Sequence, residues 1–161
     1  MATVEVTFTP LPVHVRTARL VATAVARRSG VAESLLDEVR LAVGEACSRA
    51  VEAHQRHCPE QPIRVALTDN GEQFEVVVTD AVPDAGHVLP AAKAAPNGHG
   101  SGGRSAANGT DNGLAVTDDE VLLRLPDEVG LAVIAGLADD VRVASAGQGT
   151  SVTMTWKRRT G

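Results

Sequence analysis

The residues best suited to chemistry lie on one side of a predicted helix in the first third of the chain. Between residues 36 and 55, LDEVRLAVGEACSRAVEAHQ, four charged side chains fall within roughly a 60° arc: Glu38, Glu45, Arg49 and Glu52. Carboxylate and guanidinium groups in one stripe suit acid–base chemistry or anion binding. Glu45 precedes Arg49 by four residues, the favourable order for a helical ion pair. From spacing alone, the stripe is predicted to be solvated, with one weak surface salt bridge.

A second group of reactive side chains closes this helix, in the sequence HQRHC. His54, His57 and Cys58 are metal-ligand types, but no second cluster completes a four-ligand set and the spacing is not a zinc pattern. The negative end of a helix favours a cationic histidine, which accounts for the histidines without a metal. We therefore predict no metal site.

Two further motifs lack the context that their chemistry needs. GHGSGG, at residues 98–103, follows no strand, opens no helix and lacks the Lys-Ser/Thr ending of a phosphate-binding loop. Ser48 lies in the middle of a helix, without the sharp strand-to-helix turn that exposes a nucleophilic serine. Neither motif predicts catalysis.

Composition restricts the class of protein. The chain has 161 residues, enough for one domain with a real core; 43% are hydrophobic but only 2% aromatic. A formal net charge of −5 argues against bulk electrostatic binding to nucleic acid or an anionic membrane. The longest apolar run, Leu131–Ala138, is too short to span a bilayer, and no signal-peptide pattern opens the chain. Two cysteines make no disulfide framework, so we expect a cytoplasmic protein.

The charged stripe has to be positioned by the elements before it, a strand and a helix. Val4–Phe8 alternates as a strand, and Val13–Ser29 is predicted to be a helix that ends at Gly30. A very short link follows, so this helix and the central one should form an antiparallel pair. The first helix is predicted to bury Val15, Leu20, Val21, Ala24 and Val25 and to expose Arg16, Arg19, Arg27 and Arg28. The central helix is predicted to bury Leu36, Val39, Val43, Ala46, Cys47 and Ala50.

A hairpin and a biased segment come next. Ile63–Thr68 and Gln73–Asp80 flank Asp69-Asn70-Gly71, which is a strong hairpin signal. From Pro83 to about Thr117 the chain is rich in Gly, Ala, Asn and Ser, with almost nothing to bury. Such a segment does not offset its ordering entropy, so we predict a disordered insert.

The last elements complete the fold prediction. A helix that starts at Pro126-Asp127-Glu128 is almost wholly apolar and is predicted to be buried. Val141–Ala144 and Thr150–Trp156 are predicted to be strands. The order β-α-α-β-β-insert-α-β-β predicts one domain over residues 1–161, a two-layer α/β sandwich. We expect a mostly antiparallel mixed sheet with the helices on one face.

Four phrases of the sequence resemble a known family. They are EACSRAV from Glu45, the hairpin that ends at Asp80, GLAVI from Gly130, and GTSVTM from Gly149. They are similar to the ATP-binding domain of anti-sigma-factor serine kinases, in the histidine-kinase-type ATPase (HATPase or GHKL) superfamily. The resemblance covers essentially the whole chain except the insert, which falls where that family has its ATP lid.

The resemblance implies roles for the central helix and for the end of the hairpin. In the family, the position of Glu45 is a general base, and four residues later an asparagine holds Mg²⁺. That asparagine is Arg49 here, which has five donors and no acceptor, so it cannot ligate Mg²⁺. Asp80 matches the aspartate that reads the adenine amino group, but the two glycines that follow it in the family are Val82 and Asp84.

The remaining two motifs follow the insert. Where the family has Gly-x-Gly, with backbone N–H groups that meet phosphate, Gly130 matches the second glycine and Glu128 replaces the first. A carboxylate there would occupy the positive end of the helix and repel a triphosphate. Gly149 and Thr150 match the last motif.

These changes favour a binding protein over an enzyme. The resemblance implies an anti-sigma-type regulatory protein of a partner-switching system, which binds a sigma factor, an anti-sigma antagonist, or both. ATP is expected to bind weakly or not at all, and Mg²⁺ is not expected. The alternative is an active ATP-dependent serine kinase that phosphorylates an antagonist with Glu45 as the base. A third alternative is an unrelated α/β binding module.

The partner surface is predicted on the first helix. The family engages partners at this end of the fold, and this acidic chain concentrates arginine there, so we expect Arg16 and Arg19 to be central. The family commonly dimerises, which makes a homodimer a further expectation.

Overall fold

The computed structural model describes residues 1–82, 127–146 and 149–158, without the side chains of residues 127–129 and 146. The predicted insert at residues 83–117 lies outside these residues. A short 3₁₀ turn, Glu33–Leu35, joins the first two helices. The elements are β1 (Ala2–Phe8), α1 (Pro12–Arg28), α2 (Leu36–His57), β2 (Ile63–Asp69), β3 (Gln73–Asp80), α3 (Asp127–Leu137), β4 (Asp140–Ala146) and β5 (Gly149–Lys157).

The five strands form one sheet in the order β1-β2-β3-β5-β4. Each neighbouring pair is antiparallel, so the described sheet is antiparallel throughout rather than mixed. The predicted α/β class and element order are confirmed. In the part of the chain that the structure describes, no helix is long and apolar enough to cross a bilayer.

The core lies between the helices and one face of the sheet. Alternate residues of the three central strands are buried there: Val65 and Leu67 of β2, Phe74, Val76 and Val78 of β3, and Val152, Met154 and Trp156 of β5. The Phe74 and Trp156 rings lie 6.2 Å apart, and Trp156 Nε1 donates a hydrogen bond to the Leu137 carbonyl at 3.0 Å. The indole therefore satisfies its one donor while it fills the core, and it fixes the end of α3 on the sheet.

The β2–β3 hairpin follows the sequence prediction closely. Asp69 Oδ1 accepts a hydrogen bond from the Gly71 N–H at 2.8 Å, and Asn70 Oδ1 accepts from the N–H groups of Glu72 and Gln73. Gly71 has φ +89°, a conformation that glycine adopts without a steric penalty. The side-chain oxygens and the glycine thus account for the tight turn.

The buried face of α1 differs from the prediction. Leu20 is 61% exposed and Ala24 is also exposed, although both were expected to point inward. The buried positions are Val15, Ala18, Ala22 and Ala26. Alanine allows α1 to approach α2 closely, so the small side chains occupy the contact and Leu20 is left on the opposite side.

The α3 helix is buried on one face rather than all round. Ile134 is fully buried and Gly130 is buried, whereas Ala132, Ala135 and Gly136 are exposed. The outer positions are small residues, which leave little apolar surface to bury. An apolar sequence therefore did not require an enclosed helix.

These burial differences predict unequal stability costs. Phe74→Ala should lower the free energy of unfolding by about 3–5 kcal/mol because it opens a cavity in the core. Leu20→Ala should change it by less than about 0.5 kcal/mol because that side chain is exposed. Urea unfolding followed by circular dichroism measures both values. A Leu20 variant as unstable as the Phe74 variant would contradict the observed orientation of α1.

Candidate functional site

Asp80 lies at the end of β3, where β3 pairs with the start of β5. Its Oδ1 atom accepts hydrogen bonds from the N–H groups of Val82 at 3.0 Å and Thr150 at 3.2 Å. A Cβ atom at residue 149 would overlap the Asp80 carbonyl oxygen and lie 3.2 Å from its carbon, so glycine is needed there. The second oxygen of this half-buried carboxylate, Oδ2, accepts no hydrogen bond from the described residues. It can therefore accept one from a ligand.

His54 of α2 holds the chain at the end of β3. It is fully buried; its Nδ1 lies 2.9 Å from the Gln61 carbonyl oxygen, and its Nε2 accepts from the Ala81 N–H at 2.9 Å. A carbonyl accepts and an N–H donates, so Nδ1 carries the hydrogen and the ring is neutral. The cationic, dipole-stabilised histidine predicted from the sequence is therefore wrong for His54. Its ring instead ties α2 to the residue after Asp80.

This role of His54 was missed by the sequence analysis, but the sequence carries a signal for it. His54 follows Ala50 by four residues and so continues the apolar face of α2. A histidine on a buried face needs partners for both ring nitrogens. That requirement indicates a structural contact rather than a solvated helix end.

Glu45 is buried, which contradicts the predicted solvated stripe. It is 3% exposed, because α3 packs against this side of α2. A Cβ atom at residue 130 would overlap Glu45 Oε1 and lie 3.1 Å from Glu45 Cδ. The Glu45 carboxylate therefore lies against Gly130 of α3, where the absence of a Cβ atom leaves room for it.

Arg49 follows Glu45 by one helical turn and is half-buried. Its Nε atom is buried and donates no hydrogen bond to any described residue. A guanidinium supplies donors only, so Arg49 can contact an anion but cannot ligate a cation. Among residues 1–82, 127–146 and 149–158, no group of three His, Cys, Asp or Glu side chains is arranged to hold a metal.

The two arginines predicted to contact partners have different environments. Arg16 is exposed, whereas Arg19 is half-buried, which corrects its predicted outward position. A Cβ atom at residue 44 would lie 2.5 Å from Arg19 Cδ, so the stem of Arg19 runs over Gly44 of α2. Arg19 therefore helps to pack α1 on α2, and Arg16 remains on the open face.

The candidate residues form two groups joined by α2. Asp80, Gly149 and Thr150 meet at the ends of β3 and β5. Glu45 and Gly130 meet between α2 and α3. Because α2 carries Glu45 and Arg49 and binds Ala81, the residue after β3, through His54, it sets the position of both groups. The arginines of α1 lie on a different flank of α2.

The cysteines provide a probe of the Asp80 end. Burial raises the pKa of the Cys47 thiol to about 12, against the opposing charge of Arg19. Burial and, secondarily, the Asp80 charge raise the pKa of the Cys58 thiol above its ordinary value. Because the thiolate is the reactive form, both thiols should react slowly at pH 8, and Cys47 hardly at all.

We predict that Asp80→Asn accelerates the alkylation of Cys58, because removal of a negative charge lowers the thiol pKa and increases the thiolate fraction. Mass spectrometry of the alkylated protein follows each cysteine separately. Asp69→Asn, at the other end of the hairpin, is the matched control and should leave the Cys58 rate unchanged. Equal acceleration by both variants would mean that Asp80 is not the charge that Cys58 senses.

Comparison with known proteins identifies the fold. The family described as histidine kinase-like ATPase domain matches residues 8–156. A search of curated proteins finds no match. The fold is similar to the crystal structure of the RsbU and RsbW domains of Rv1364c from Mycobacterium tuberculosis, with a TM-score of 0.62 and 16% identity over 98% of this chain. This chain spans 32% of that one. The protein therefore belongs to the histidine kinase-like ATPase domain family.

Proposed function

We propose that this domain is an anti-sigma-type regulatory protein of a partner-switching system, which binds a sigma factor, an anti-sigma antagonist, or both. Membership of the ATPase-domain family and the similarity to a structure that contains an RsbW domain support this assignment. They do not distinguish a binding protein from a kinase. The choice between these two rests on the exposed surface of α1 and on Glu45, Arg49 and Gly130, which the family resemblance places at the phosphate end of the site.

The observation that carries the proposal is the distribution of exposed apolar side chains. In the described residues, the large hydrophobic side chains that are exposed all belong to the first 20 positions: Met1, Val4, Leu11, Val13 and Leu20. They lie on β1, on α1 and immediately before each of them. Two of them, Val13 and Leu20, share one face of α1, and exposed apolar groups on a shared face are typical of a protein interaction site.

The charges on α1 indicate what kind of partner fits. Val13, Arg16, Leu20 and Arg27 fall within roughly a 60° arc of the helix, and α1 contains no acidic residue. Arg27 pairs with Glu33 at 3.5 Å, whereas no described residue forms an ion pair with Arg16. A surface of apolar groups beside a cation suits an acidic amphipathic segment of a protein. A symmetric α1–α1 contact would oppose like charges, so the expected homodimer should use another surface.

The phosphate end of the site favours binding without phosphoryl transfer. The Asp80 end keeps an acceptor oxygen suited to an adenine amino group. At the other end, Arg49 replaces a metal ligand, and the Glu45 carboxylate lies against Gly130 where phosphate would approach. Phosphoryl transfer needs a metal ion and hydrogen-bond donors that neutralise the charge of the transferred group. Here Glu45 adds a negative charge, and Arg49 cannot ligate a metal ion.

An active serine kinase is the second candidate function. The match of Asp80, Gly149 and Thr150 to the family motifs supports it, because these three residues lie together at the ends of β3 and β5. In that case Glu45 would be the general base, and another group would replace the ligand lost at Arg49.

We predict that ATP binds weakly or not at all, with no dependence on Mg²⁺. Arg49→Asn alone should not restore tight binding, because Val82, Asp84 and Glu128 remain. Isothermal titration calorimetry with and without Mg²⁺ measures the ATP affinity of the wild-type chain and of the Arg49→Asn variant. Micromolar affinity that requires Mg²⁺ would favour the kinase and contradict the proposed function.

We predict that Arg16→Ala combined with Leu20→Ser weakens partner capture about 30-fold, which corresponds to about 2 kcal/mol for loss of an anchored arginine. Pull-down against the sigma factors and antagonists of the source cell measures it, with circular dichroism to verify folding. Arg64→Ala, an exposed arginine on the outer face of the sheet, is the control and should retain capture. Arg19→Ala is tested separately because it also changes the α1–α2 contact. Full capture by the folded double variant would exclude this surface.

A further inference from the structure

We infer that Glu45 is an internal occupant of the phosphate end of the site, a carboxylate that holds α3 on α2 and keeps anions out. In this assignment Glu45 is a positioning residue and not a base. The inference concerns the α2–α3 contact and is independent of the α1 partner surface. The two can therefore fail separately.

The contact with Gly130 is specific to that position of α3. Both residues are buried, and a Cβ atom at residue 130 would overlap Glu45 Oε1. Gly136, six residues further along the same helix, is exposed and has no atom within 4 Å of the same hypothetical Cβ. A glycine in a helix interior is unfavourable relative to alanine, so helix preference does not explain residue 130. The side chain of Glu45 does.

The placement of this carboxylate is electrostatically favourable. Gly130 directly follows the first three residues of α3, 127–129, whose backbone N–H groups lack carbonyl partners within the helix. A negative group at this end is stabilised by the helix dipole. The same N–H groups would bind a phosphate, so an incoming anion has to displace Glu45 or bear its repulsion.

Burial keeps the Glu45 carboxylate in its position between α2 and α3. Glu45 exposes 3% of its surface, and α3 covers it on the side of Gly130. A group in this position is not free to take a proton from a substrate hydroxyl unless α3 moves away. The residue that family resemblance assigns to catalysis is thus committed to packing in this chain.

The first test is a comparison of two glycines in two backgrounds. Gly130→Ala should lower the melting temperature by roughly 5 °C, because the new methyl group meets Glu45. In the Glu45→Ala background the same change should raise it, because the space is free and alanine favours the helix. Gly136→Ala should raise it by a similar amount in both backgrounds. If Gly130→Ala behaves like Gly136→Ala in the wild-type chain, the contact is not formed and the inference is overturned.

The second test uses inorganic pyrophosphate, which reports on the phosphate end without adenine. Glu45→Gln keeps the volume and removes the charge, so it should bind pyrophosphate at least roughly tenfold more tightly than wild type in Mg²⁺-free calorimetry. Glu52→Gln, on the same helix and paired with Arg56, is the control and should bind as wild type does. Unchanged affinity in folded Glu45→Gln would overturn the role of Glu45 in excluding anions.

Discussion

The enclosure of α2 is the constraint on which the rest of the structure depends. One side of this helix contacts α1, where the stem of Arg19 lies over Gly44, and another contacts α3 through Glu45 and Gly130. Its apolar face lies on the sheet. Glycine fits at 44 and at 130 because a Cβ atom at either position would overlap a side chain of a neighbouring helix, which would have to move. The absence of these two Cβ atoms favours close packing of the three helices on one face of the sheet.

The same helix transmits its position to the Asp80 end of the site. His54 donates to the loop before β2 and accepts from the residue after Asp80, so the end of β3 is fixed relative to α2. Thr150 then holds the carboxylate from β5. These hydrogen bonds fix the end of β3 relative to α2 and β5, whether or not a nucleotide binds. Retention of Asp80, Gly149 and Thr150 is therefore weaker evidence for ATP than their match to the family suggests.

The sequence was informative where local patterns decide the structure. The face of α2 and the turn at Asp69-Asn70-Gly71 depend on periodicity and on side chains a few residues apart, and both were predicted correctly. The exposure of Leu20 was not predictable from periodicity, because it depends on alanines that allow close helix contact. Glu45 lies opposite the apolar face of its own helix, so the periodicity of α2 did not indicate its contact with Gly130 of α3, which is distant in sequence. The assignment of Asp80 and Thr150 to one site came from the family resemblance, and the hydrogen bond between them was not predicted because no local pattern links them.

The distribution of charge gives the α1 surface a selectivity that its shape alone would not. The formal net charge is −5, whereas α1 contributes four arginines and no acid, so the rest of the chain carries −9, the difference between −5 and +4. An acidic partner is repelled by most of the molecule and attracted at one helix, which orients its approach. The exposed Val13 and Leu20 then provide the apolar contact that charge alone does not supply. None of these groups belongs to the group formed by Asp80, Gly149 and Thr150 or to that formed by Glu45 and Gly130, so the proposed partner recognition by α1 does not depend on the residue at position 49.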